Sequence, residues 1–165
     1  MKTLRLSKLS QSLALAALLG VGAAIVASKA HASDSVSVTV NATIVGVCKF
    51  FTASPVINIT NTGSGSNIDP SSATSAVGNA AITYRCSNGT SPVFTVPATA
   101  TVTCGACTGT PTMTPAITSA GSAAGTGMGT GNDKTLTVTG TIIQANFQNA
   151  LAGAYTGTMT VSVTP

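Results

Sequence analysis

The chain has 165 residues, and its formal charge of +4 comes from seven Lys or Arg against three Asp, with no Glu and no Trp. Four of the bases, Lys2, Arg5, Lys8 and Lys29, lie in the first 32 residues, so Lys49, Arg85 and Lys134 balance Asp34, Asp69 and Asp133 in the remainder. That balance leaves no basic patch for nucleic acid, and because the one His, His31, also lies in the first 32 residues, acid–base catalysis near neutral pH would lack an imidazole.

Residues 1–32 carry the three parts of a secretory signal in order: the basic MKTLRLSK, the apolar LALAALLGVGAAIVA, and a small-x-small end at Ala30-His31-Ala32. Cleavage is predicted between Ala32 and Ser33. The apolar run is about 15 residues, short of the ~20 that span a bilayer, and Gly20 and Gly22 interrupt it. The mature remainder is long enough for one modest domain with a core. Thr occupies 27 of its positions and Gly 15, a composition that favours short strands and turns over helices.

In chain order, Val36 to Ile44 alternates apolar and polar residues, the period-2 pattern of a half-buried strand, and Val45-Gly46-Val47 disturbs it ahead of Cys48 as a bend or bulge would. A shorter apolar segment, Val56 to Ile59, precedes a polar loop that runs from Asn61 to about Gly78. Ala80 to Cys86 resumes alternation with Ile82, Tyr84 and Cys86 on one face, and Asn88-Gly89 is a hairpin signal leading into Val93 to Val96. Ala98 to Thr103 and Met113 to Thr118 read as further short strands. Ser119 to Asn132 reads as a flexible Gly/Ser/Ala-rich loop, and its GTGMGTG lacks the strand, Lys and helix of a phosphate loop. Leu136 to Ile142 and Tyr155 to Val163 alternate most clearly, each with Thr or Ser on the other face. Six or seven short strands with no convincing helix predict an all-β antiparallel sandwich, with Phe50, Phe94, Phe147, Tyr84 and Tyr155 filling much of its core.

Export places Cys48, Cys86, Cys104 and Cys107 in an oxidising compartment, where four cysteines allow three pairings. Joining Cys48 to Cys86 would staple two strand ends; loop-closure entropy gives that link about 4 kcal/mol, against about 1.6 kcal/mol for Cys104 with Cys107. The CxxC spacing of Cys104 and Cys107 also suits a redox pair or half of a zinc site. A redox pair wants a helix N-terminus to depress a thiol pKa, yet this one follows a Thr-alternating strand, and zinc lacks a mature His or a second spare CxxC. The expectation is a local structural disulfide, with no metal and no cofactor.

Three blocks of residues resemble the spore coat protein U domain family, which includes the pilins of archaic chaperone–usher fibres. They are the alternating segment ending at Cys48, the Ala81-Ile82-Thr83-Tyr84-Arg85-Cys86 segment, and Gly140-Thr-Ile-Ile-Gln144 with Ala152-Gly153-Ala154-Tyr155 and Thr158 to Val163. The family's Phe-Gly segment after the first cysteine is replaced here by Val56-Ile57-Asn58-Ile59, and the Cys104/Cys107 pair is extra to the family pattern. The resemblance implies an incomplete immunoglobulin-like sandwich lacking its last strand, with a groove completed by an N-terminal extension of the next subunit. It also implies a periplasmic chaperone, an outer-membrane usher and identical or related subunits as partners, periplasmic transit, and a final place in a cell-surface pilus serving adhesion and biofilm formation. Val163 lies two residues before Pro165, so no further strand is expected after it.

On this reading residues 1–32 are the signal, 33–44 the donor segment and 45–165 the sandwich, with Val36, Val38, Val40 and Ala42 as pocket-filling residues. An intramolecular first strand is the competing reading. The alternative functions are a monomeric secreted binding module and a fibre-tip adhesin, although the mature chain has only six aromatic residues to offer a ligand. No enzyme is expected, since three Asp without Glu or mature His supply no nameable base or ligand cluster.

Overall fold

The computed structural model describes residues 35–165; the leader and its Ala32–Ser33 cleavage point lie outside the described residues. Thr43–Pro165 forms one compact unit. Residues 35–42, the described part of the other unit, carry neither helix nor strand.

The centre of the compact unit is a pair of long strands, β2 (Ala76–Cys86) and, using chain-order labels throughout, β7 (Lys134–Ile142). They run antiparallel in a register that sets Ala76 opposite Ile142, Ala80 opposite Val138 and Ile82 opposite Leu136. Because side chains alternate faces, the even-numbered residues of both strands share one side and bury it. The odd side presents Thr135, Thr137, Thr139 and Thr141, and the Thr139 hydroxyl donates to Asn79 Oδ1 at 2.8 Å. β1 (Cys48–Phe50) flanks β2, and β6 (Ala116–Ala120) flanks β7, giving a four-stranded antiparallel sheet in the order β1-β2-β7-β6.

Two smaller antiparallel pairs accompany it: β3 (Val93–Thr95) with β8 (Ser162–Thr164), and β4 (Val102–Thr103) with β5 (Thr112–Met113). Thr103 and Thr156 exchange backbone bonds in both directions, at 2.8 and 3.1 Å. Residues 93–103 thus track the stretch 156–164, touching it at β8 and again at Thr156. The chain changes sheets at Thr114-Pro115, where β5 pairs with β4 and β6 pairs with β7; Pro115 offers no N–H to a ladder. One helical turn, α1 (Gln144–Phe147), buries Phe147. Among the described residues, then, the chain is an all-β domain of several antiparallel sheets apart from that turn, and the strands do not close into a barrel.

The core has two clusters. One gathers Ile82, Tyr84, Cys86, Ile117, Leu136 and Val138, with Phe50 and Phe94 against it. Phe94 meets Tyr84 edge-on at 4.8 Å and stacks with Phe50 at 6.1 Å, geometries the aromatic quadrupole favours. The other gathers Ala76, Met113, Ile142 and Phe147, with Tyr155 partly buried against it.

Several expectations need correction. The Asn88-Gly89 turn forms, with Gly89 at φ 76° and Thr90 N–H donating to Ser87 O, yet β2 and β3 are not hairpin partners, because β3 pairs with β8. Turn chemistry fixes a reversal locally but does not choose the sheet that the next strand joins. The strand expected to close at Cys48 instead starts there, and residues 35–47 carry no strand. The stretch expected to be flexible, residues 119–132, begins inside β6 and is then tied down: Ala123 N–H donates to Tyr84 Oη at 2.8 Å, Gly125 exchanges bonds with Gly89 and Thr90, and Gly127 N–H donates to Cys86 O. Its small residues serve close approach, since a β-carbon on Gly125 would lie 2.3 Å from Cys86 O.

Candidate functional site

The site grows from a departure in the edge of the main sheet. β1 follows β2 from Cys48 to Phe50, Phe51 N–H still donates to Thr83 O, and Thr83 N–H donates to the Thr52 hydroxyl at 2.6 Å. Pairing resumes only at Thr60 with Val77. Between these points the chain leaves the edge through Ser54, at φ 47°, and Pro55, which has no N–H. Residues 57–59 then cross the buried face of the sheet. A β-carbon on Gly78 would lie 2.2 Å from Asn58 O, and one on Gly140 would lie 3.1 Å from Ile59 Cδ1 and 3.4 Å from Ile57 Cγ2. Gly78 and Gly140 are direct cross-strand partners, so together they form a notch through which Ile57-Asn58-Ile59 passes.

On the far side, residues 157–161 are held at their ends by Thr156 and β8. Among the described residues, neither 53–59 nor 157–161 makes a backbone–backbone hydrogen bond. The two stretches flank a two-lobed groove, mostly apolar in its larger lobe. One lobe, of about 640 Å³, is lined by Phe50, Ile57, Ile82, Val138, Met159 and Val161. The next, of about 550 Å³, is polar and apolar in equal measure, with Ile59, Met113, Ile142 and Phe147 alongside Asn67 and Thr156. Ile57, Ile59, Val102 and Gly157 belong to both lobes.

The N-terminal segment presents its apolar side chains to solvent. Val36, Val38 and Val40 are 87%, 76% and 85% exposed, and Ile44 is 92% exposed; Ala42 is exposed as well. The alternation that suggested a strand is therefore present without a partner among the described residues. Ile44 extends the stripe by one position beyond Ala42.

Ionic chemistry is sparse and sits away from the groove floor. Lys49 and Arg85 are cross-strand partners, an unfavourable like-charge pair, but Arg85 also forms an ion pair with Asp133 and lies 4.3 Å over the Phe51 ring. Asp69 accepts bonds from the Ser71 side chain and backbone N–H, which hold its carboxyl below the usual value. Among the described residues no three His, Cys, Asp or Glu side chains cluster as a metal site would require.

All four cysteines are bonded. Cys48 joins Cys86, its register partner, and ties β1 to β2. Cys104 joins Cys107 across the turn between β4 and β5. Residue patterns did not bring out the glycine notch or the Tyr84 hydroxyl anchor. The available signal was glycine inside alternating strands, which marks close backbone approach. In comparisons with known proteins, no family model, no curated protein and no solved structure matches the chain.

Proposed function

We propose that this protein is a structural subunit of an extracellular chaperone–usher pilus, assembled by donor-strand exchange and serving adhesion and biofilm formation. The observation that carries the reading is the groove, mostly apolar in its larger lobe, bounded by two stretches, 53–59 and 157–161, whose backbone groups have no backbone partner among the described residues. Unpaired edges beside an apolar floor invite another strand. The sandwich is then immunoglobulin-like but incomplete, and a strand from another copy completes it by backbone pairing and pocket filling.

The donor is the segment that carries Val36, Val38, Val40 and Ala42. Burying a valine contributes about 1.5–3 kcal/mol, while ordering each donor residue costs about 1–2 kcal/mol. Only every second donor residue is buried, so side chains roughly offset the ordering cost. Backbone bonds to the flanks, at about 0.5–1.5 kcal/mol each, then decide the balance. The same groove needs cover during transit, the role of a periplasmic chaperone before an outer-membrane usher. The work of such a subunit is association, and no catalytic residue is assigned. Support comes from the groove, the exposed valine stripe, the two disulfides and the resemblance to the spore coat protein U domain.

The test compares Val38→Asp with Thr39→Asp in full-length oxidised protein. A charge forced into an apolar pocket costs several kcal/mol in desolvation, so Val38→Asp should abolish polymers in size-exclusion and electron microscopy, and Thr39→Asp should leave them. Equal assembly of the two variants would refute pocket insertion at Val38.

A further inference from the structure

The Cys104–Cys107 disulfide is not needed to join β4 to β5, whose ladder already links them. Its surroundings suggest a different role. A β-carbon on Gly153 would lie 2.5 Å from Cys107 Sγ and 2.6 Å from Cys104 Sγ, so both sulfurs press on the bare backbone of the loop that follows α1. That loop, residues 151–155, forms one wall of the 550 Å³ lobe. Among the described residues it makes no backbone hydrogen bond to another element; Tyr155 Oη donates to Leu151 O within the loop itself, and the first outside tie is Thr156 to Thr103, next to Cys104. The wall is thus held by the sulfurs and by the strand that carries them.

We infer that Cys104–Cys107 is a thiol-exchange site whose redox state sets the position of the groove wall at Gly153. The inference rests on the groove being the subunit's binding site, as proposed above. Cys104 is fully buried and Cys107 partly exposed, so the thiolate of a dithiol reductant attacks Cys107 Sγ. Cys104 leaves as a thiolate and takes up a proton. The reductant's second thiol then attacks the mixed disulfide, releasing Cys107 as a thiol and the reductant as its own disulfide. The reduced sulfurs separate from about 2.0 Å to van der Waals distance and each carries a hydrogen. Against a residue with no room for a β-carbon, that added volume displaces Gly153.

Full-length oxidised protein carrying Val38→Asp, to hold it as a monomer, is titrated with dithiothreitol, alkylated and mapped, and hydrogen exchange is followed in parallel. Cys104 and Cys107 should be alkylated at about tenfold lower dithiol than Cys48 and Cys86, because closing so short a loop stabilises a disulfide less. Exchange of the Ala150 and Thr156 amides, whose bonds to Phe147 O and Thr103 O hold the two ends of the loop, should rise several-fold while 76–86 and 134–142 stay protected, and oxidised Gly153→Ala should show the same local rise. A synthetic peptide of residues 33–45 should bind the form reduced at Cys104 and Cys107, with Cys48–Cys86 intact, about tenfold more weakly than the oxidised form, the effect of losing one buried valine's contacts. Reduction of Cys48–Cys86 first, or unchanged exchange at Ala150 and Thr156 on reduction, would overturn the inference. A peptide that binds neither form would defeat the donor reading alone, since alkylation and exchange decide the redox role of the disulfide without it.

Discussion

Gly78 and Gly140 show how two absent side chains shape the groove. Each lies on the buried face, and Asn58 passes so close to Gly78 that a β-carbon would meet its carbonyl oxygen at 2.2 Å. Gly78→Ala should therefore cost about 1–3 kcal/mol in urea unfolding, the range for overpacking against a backbone that must move; an unchanged midpoint would show that Asn58 does not cross there. Tyr84 acts in the opposite sense. Its ring fills the core, and its hydroxyl accepts from Ala123 N–H and lies 3.1 Å from Ala123 O. Tyr84→Phe keeps the ring but orphans that N–H, an expected loss of about 1–3 kcal/mol, with raised hydrogen exchange confined to 121–127. At Asp69, the Ser71 bonds favour the charged carboxylate, so its depressed folded-state pKa makes the loop contribution fully present above the unfolded value and lost as pH falls through the folded one. A carboxyl titration by NMR should show a midpoint below 3.8, the ordinary value.

Among the elements, β7 and the Ala80–Cys86 part of β2 were legible because alternation over seven or more residues reads as a strand with one buried face; Ala76 to Gly78, expected at the end of a polar loop, instead open β2, because Val77 and Ala81 on the odd face and Gly78 on the even one blur the pattern there. The opening segment alternates as strictly, from Val36 to Ile44, yet no strand forms there. Alternation reports that one face seeks apolar cover; it does not say which chain supplies it. Tyr155 to Val163 alternates too, but only Ser162–Thr164 joins a ladder, because 157–161 has no neighbour on its groove side. The candidate site was legible to the same extent: the exposed valines could be read from their spacing, whereas the groove could not, since it depends on residues 53–59 leaving the edge of β2 and crossing at a notch made by glycines 62 residues apart, at 78 and 140. The Cys48–Cys86 link could be anticipated from its place at two segment ends. It holds β1 on β2 beside the point where the edge opens, so Cys48→Ser/Cys86→Ser should lose about 2–5 kcal/mol and free Phe50 from its stack with Phe94. Near-UV circular dichroism and denaturant unfolding would show both effects.

For the whole molecule, the mostly apolar larger lobe of the groove and the exposed apolar stripe are both costly to leave in water. On the proposed reading, one chain's stripe would cover another chain's groove, and such a head-to-tail contact, where its rotation does not close a ring, builds an open fibre. Donor-strand exchange requires residues 33–41 for assembly but not for folding. The most direct measurement compares oxidised protein with and without those residues, following particle size and urea unfolding, with a peptide of residues 33–43 added back. The full-length protein should polymerise, the shortened protein should stay monomeric and folded when supplied with the peptide, and the peptide should raise its unfolding midpoint. A full-length protein that remains a stable monomer while the shortened one unfolds even with peptide present would refute donor-strand exchange.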